Sequence, residues 1–136
     1  MTNNKTKKTI KVVTTPVTYP MRLLRPVGDF LLAQLKHLEK RKNELDKDDP
    51  FANIDRVNDN ASPDADAEEQ YGHARISAVR EQLDRKIIQT RRALTMIKIG
   101  KYGICEECGE MIDTERLMIY PEATLCVKCE SKKEKK

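Results

Sequence analysis

The chain has no tryptophan, only two phenylalanines and four tyrosines among 136 residues, and just five glycines. So few large apolar side chains cannot fill a sizeable globular core. No apolar run approaches the ~20 residues that a membrane-spanning helix needs. The N-terminus has lysines and threonines but no continuous apolar stretch ahead of a cleavage site, which argues against a signal peptide. The expectation is a soluble, cytoplasmic protein. Histidine is nearly missing: His37 and His73 stand alone in helical stretches and read as surface or seam residues, not as bases or ligands. There is no phosphate-binding glycine loop and no nucleophile elbow. With no credible catalytic set, an enzyme is not expected.

Charge is what the chain has in quantity: 35% of its residues are Asp, Glu, Lys or Arg. The formal net charge of +4 hides a segregation. Residues 1–28 carry six bases and no acid. Residues 50–70 carry Arg56 alone against Asp55, Asp59, Asp64, Asp66, Glu68 and Glu69. Residues 71–100 are basic again, with seven bases against Glu81 and Asp84. Residues 1–22 read as a basic, flexible tail in which Pro16 and Pro20 break any helix. Ile10-Lys-Val-Val13 is a short β-prone run without an obvious partner.

Two apolar stripes follow at helical spacing. Leu24, Leu31, Leu38 and Leu45 recur every seven residues, Leu35 falls four after Leu31, and Phe30 and Leu32 broaden the start. This predicts a first helix from near Pro26 to about Asp46. Asp49, ahead of Pro50, is biased away from helix, and residues 51–57 have the spacing of one short helical piece. Residues 58–63 are a turn cluster. Ser62 as N-cap and Pro63 as first helical residue then open a second helix that runs to Ile99, with Gly72 as its weak point and Gly100 as its stop. Its seam is Ile76, Leu83, Ile87, Leu94 and Ile97, widened by Val79 and Ile88. A helix this polar is weak alone. The fold class expected is therefore all-α dominated: an antiparallel coiled-coil hairpin over 23–100, with an acidic tip near 48–66, followed by a small metal-stapled finger.

The cysteines define that finger. All four lie in Cys105-Glu-Glu-Cys108 and Cys126-Val-Lys-Cys129, seventeen residues apart. Two such hooks at this separation are the sequence form of a four-thiolate zinc site. A two-residue gap lets both sulfurs face one ion at about 2.3 Å, and two hooks close a tetrahedron with no position left for water. One structural zinc is expected, over residues 101–131, with 132–136 as a charged tail. Two disulfides or redox pairs are the competing readings. The first needs an oxidising compartment and the second normally sits in an α/β pattern.

Gly100-Lys-Tyr-Gly-Ile-Cys105-Glu-Glu-Cys108-Gly109, with Ile112, Arg116-Leu117, Pro121 and Cys126-Val-Lys-Cys129, resembles the DksA/TraR zinc-finger family of bacterial RNA polymerase-binding proteins. The resemblance covers residues 98–130 closely and extends loosely to about residue 30. It implies a coiled-coil hairpin whose tip enters the secondary channel of RNA polymerase and modulates initiation, often together with guanosine tetraphosphate, without catalysis of its own. Longer family members carry Asp-x-x-Asp-x-Ala at the tip. Here the stretch reads Asp64-Ala65-Asp66-Ala67, so Asp64, Asp66 and Ala67 are the candidate polymerase contacts, with Asp59 second. Acids in the first turns of a helix also favour its dipole by about 0.3–1 kcal/mol each, and Glu68 and Glu69 read mainly that way. The basic face of helix two suggests DNA binding instead, as does the tail. The finger opposes it, with seven acids against three bases over residues 101–130. Sequence-specific DNA binding is not expected. A coiled-coil adaptor is the remaining alternative: it predicts a dimer through the leucine stripe, where the hairpin predicts a monomer.

Overall fold

The computed structural model of the protein describes residues 18–49 and 63–135. The Ile10–Val13 run, the short helical piece expected at 51–57, Asp59 and the Ser62 cap lie outside the described residues. Four helices follow in order: α1 (Met21–Asp48), α2 (Pro63–Lys98), α3 (Thr114–Ile119) and α4 (Val127–Glu134). Among the described residues, no helix is long and apolar enough to cross a membrane.

α1 starts earlier than Pro26. Pro20, in extended conformation, is its N-cap, and its carbonyl accepts the Leu23 N–H at 2.9 Å. Pro26 therefore sits inside the helix, where it cannot donate to the Arg22 carbonyl. What outweighs that loss is tertiary: Leu24 is 4% exposed and packs with Tyr102 and Leu117 of the finger. Met21 and Arg22, placed in the tail by the sequence reading, thus belong to α1. Tyr19 also packs with that core, its ring 6.5 Å from the Tyr102 ring. At the other end α1 stops at Asp48, and Asp49 is extended, as a residue before proline should be.

α2 spans 36 residues, about 54 Å at 1.5 Å per residue. Its end is set by backbone chemistry. Gly100 takes φ +72°, its N–H bonds the Ile97 carbonyl at 3.2 Å, and the Lys101 N–H bonds the Met96 carbonyl at 2.9 Å. That pair of bonds is a Schellman stop, whose left-handed residue at position 100 favours glycine.

α1 and α2 pack along their length. Leu31 and Leu38 from α1 meet Leu83, Ile87, Ala93 and Ile97 from α2, with Leu35, Leu45, Val79 and Leu94 half-buried at the edges. One expectation fails here, and one seam residue was not anticipated. Phe30, Leu32 and Ile88 do not widen the seam but stay about half exposed. Thr90, overlooked because it is polar, is fully buried. It lies seven residues after Leu83 and seven before Ile97, and its hydroxyl donates to the Lys86 carbonyl at 2.8 Å, so burial leaves no donor unmade. Cross-helix ion pairs flank the seam, Lys42–Asp84 and Arg91–Glu39, both at 2.6 Å.

Beyond Gly100 the chain forms a compact finger. Ile104 and Met111 pair as an isolated antiparallel bridge. α3 is capped by Asp113, whose carboxylate accepts the Glu115 N–H at 3.4 Å. α4 carries helix through Glu134, into the expected charged tail. Arg116 and Glu130 form an ion pair that joins α3 to α4. Below them Ile112, Leu117 and Ala123 bury under Tyr102, whose hydroxyl donates to the Pro121 carbonyl at 2.8 Å. The largest buried cluster thus lies where finger, α1 and α2 meet.

Candidate metal centre and the acidic end of the hairpin

The first hook is a backbone turn. Gly103 (φ +82°) turns the chain into it and Gly109 (φ +71°) turns it out. The Cys105 N–H bonds the Glu110 carbonyl at 2.8 Å, and the Gly109 N–H bonds the Cys105 carbonyl at 3.0 Å. The second hook uses a helix start: Cys126 is the N-cap of α4 and Cys129 lies one turn in. Two contacts hold the hooks together. The Glu106 N–H bonds the Thr124 carbonyl at 3.0 Å, and the Cys126 N–H reaches the Cys105 sulfur at 3.4 Å. Lys133 of α4 also pairs with Glu107 at 3.2 Å.

All four cysteines are free, and their sulfurs lie within 4.8 Å of one another. A tetrahedral ion with metal–sulfur bonds of about 2.3 Å needs sulfurs about 3.8 Å apart. Cys108 Sγ and Cys126 Sγ, one from each hook, stand at 3.7 Å. The set therefore fits a four-thiolate zinc site in number, chemistry and spacing. Electrostatics agree. Burial pushes the Cys105 thiol up, but N–H donors from Cys108, Cys126 and Glu107 together outweigh it and bring it down to about 6. Cys129 is pushed up to about 12, first by its hydrogen bond with Cys126, then by burial and the other sulfurs. Thiolates crowded this closely oppose one another's ionisation, and a divalent cation relieves that repulsion. Cys105 and Cys129 are buried, Cys126 is half-buried and Cys108 is exposed, so one edge of the site faces solvent.

The expected tip residues lie at the opposite end of α2. Asp64 and Ala67 are exposed in its first turns. Three residues apart, they share a helix face. Position 66 is about 200° further round from 64 at 100° per residue, so the two aspartate positions are not side by side. The nearby end of α1 holds a polar cluster that periodicity could not reveal. Arg80 of α2 lies 2.7 Å from Asp46 and 3.1 Å from Asp49, and His73 lies 3.5 Å from Asp49. His73 is thus an acid's neighbour and not an isolated side chain, while His37 is exposed. Among the basic residues of α2, Arg80, Arg85 and Arg91 are all engaged with carboxylates of the chain itself.

Comparison with known proteins places these features. Residues 100–135 match the prokaryotic dksA/traR C4-type zinc finger. A protein of Aquifex aeolicus described only as uncharacterized is 51% identical over 37 residues, which are 27% of this chain and 26% of that protein. General stress protein 16O of Bacillus subtilis is 36% identical over 52 residues, 38% of this chain and 32% of that protein. The matched segments thus span about a quarter to a third of these relatives. In three dimensions the chain is similar to the structure of transcription factor DksA2 from Pseudomonas aeruginosa. The likeness covers 80% of this chain and 81% of that one, with a TM-score of 0.63 and 28% identity.

Proposed function

We propose that this chain, which belongs to the DksA/TraR C4-type zinc-finger family, is a transcription regulator that binds RNA polymerase and presents the acidic end of its hairpin inside the secondary channel. The observation that carries this reading is the likeness to a transcription factor along four-fifths of the chain, shaft as well as finger. A match confined to residues 100–135 would support a zinc finger and nothing more.

The chemistry is mechanical and electrostatic. Cys105, Cys108, Cys126 and Cys129 would hold one structural zinc, which fixes the finger against the base of the shaft. A helical hairpin whose helices are each about 10–12 Å across can enter a channel that excludes a globule. The shaft then delivers Asp64, Asp66 and Ala67 some 36 residues of helix away from the finger. Carboxylates brought near a catalytic magnesium can compete for coordination or draw basic groups out of place. The α1–α2 seam is closed within one chain, which supports a monomer and leaves the leucine stripe no partner helix to recruit. Guanosine tetraphosphate enters as a candidate co-effector through the family resemblance alone. The DNA-binding alternative is weakened by the acids exposed on the finger, Glu106, Glu107, Glu110, Asp113 and Glu115.

The test is the double variant Asp64→Asn, Asp66→Asn. It should bind core polymerase as the parent does and lose the effect on promoter-complex lifetime. A double variant that regulates like the parent removes these acids from the mechanism.

A further inference from the structure

We propose that Arg80 is the positioning residue of the hairpin: its guanidinium bolts the last turn of α1 to α2 and sets where the chain leaves α1. This rests on the polymerase reading above for its purpose, and on geometry for its existence.

Among the described residues, the apolar seam thins toward this end. The shaft's buried cluster is Leu38, Leu83 and Ile87, and its outer edge is Leu45 against Val79, both only half-buried. Where apolar packing fades, a polar contact takes over. Arg80 stands with Nε 2.7 Å from Asp46 Oδ1, and an Nη donates to Asp49 Oδ2 at 3.1 Å. The two carboxylates straddle the end of the helix. Asp46 is inside α1, and Asp49 is the extended residue just past it, with Pro50 next.

Two features separate this contact from the other cross-helix pairs. Lys42–Asp84 and Arg91–Glu39 are single pairs whose carboxylate side chains are each 40% exposed, and pairs of that kind contribute little. Asp46 is as exposed as those, at 44%, but the Asp49 side chain is only 5% exposed, and its second oxygen lies 3.5 Å from His73 Nδ1. A carboxylate so enclosed demands its partners. The guanidinium is also rigid and planar, so one hydrogen bond to Asp49 together with the close ion pair to Asp46 restrains the rotation and the register of the α1 end. A polar contact beside an apolar seam can specify register where leucine packing alone tolerates alternatives, and the Arg80 contact is placed to do so. A shaft that delivers acids at its far end needs that end fixed.

The experiment uses the full zinc-loaded chain with Arg80→Gln and Arg80→Lys, and reads two quantities. Amide exchange of residues 46–49 should accelerate about tenfold or more in Arg80→Gln, while the amides around Leu31 keep their protection. Affinity for core polymerase should stay within about threefold, while the effect on promoter-complex lifetime falls about tenfold; a merely structural role would lower both by one factor. Arg80→Lys, which keeps the charge but not the planar guanidinium, should restore exchange protection in part and the transcriptional effect less. Unchanged exchange overturns the clamp. Faster exchange with an unchanged transcriptional effect overturns the positioning role. Parent protein that does not bind polymerase overturns the functional reading and the positioning role with it, and the exchange arm still decides the clamp.

Discussion

At Gly103, two residues before Cys105, the backbone of the finger lies against Tyr19 at the entry to α1, and replacing it with alanine has a cost that divides into parts. Its φ of +82° lies in the left-handed region, where a Cβ costs about 1–2 kcal/mol. An added Cβ would also stand 2.6 Å from Tyr19 Cε2 and 3.3 Å from Leu117 Cδ1. Leu117 is buried and cannot retreat far, but the half-buried Tyr19 can swing outward. Doing so sacrifices its tilted contact with Tyr102, worth about 0.5–1.5 kcal/mol. Gly103→Ala should therefore destabilise the zinc-loaded protein by about 2–3 kcal/mol. In a Tyr19→Ala background the backbone strain and the Leu117 contact remain but the Tyr19 part is gone, so the same change should cost about 1 kcal/mol less. The assay is urea unfolding followed by helical circular dichroism at fixed free zinc, which keeps the metal's contribution constant. Equal costs in both backgrounds would remove the Tyr19 contact from the account, and a neutral Gly103→Ala would refute the strained turn itself.

Four further outcomes are expected from the same structure. Gly72 sits inside α2 with open space where a Cβ would go, so Gly72→Ala should stabilise by about 0.5–1 kcal/mol in thermal unfolding. Burial above all, then the neighbouring Tyr19 and Glu122, pushes the Tyr102 hydroxyl up to about 12. A pKa raised on folding contributes stability that is whole below the unfolded value near 10 and is lost as pH climbs toward 12, so stability should fall across that window in the parent and fall less in Tyr102→Phe. Removing zinc with a chelator should unfold the finger while leaving much of the hairpin's helical signal, and Cys108→Ala should lower zinc affinity by more than about tenfold, read by competition with a chromogenic chelator.

Much of this molecule was legible in its residues, for identifiable reasons. The metal hooks are local: two residues between cysteines fix two sulfurs toward one point whatever else the chain does, and the four sulfurs do converge. α2 was legible because its start, its seam and its Gly100 stop all agree. The start of α1 was not, because Pro26 speaks locally for a boundary and the burial of Leu24 against the finger overrides it. Thr90 was missed because a hydroxyl looks like surface until its bond to the Lys86 carbonyl is seen. The Arg80 cluster was invisible for another reason: Asp46, Asp49 and Arg80 are ordinary surface residue types, and only the pairing of α1 with α2 brings them together.

Polymerase binding by the hairpin and finger together remains a proposal that a single comparison of partners tests. The most direct measurement is binding of the zinc-loaded chain to core RNA polymerase and, separately, to duplex DNA, each across a range of salt. The account predicts polymerase binding that survives moderate salt and little binding to DNA. DNA binding that falls steeply with salt, without polymerase binding, would contradict it and leave the likeness to DksA2 a matter of fold alone.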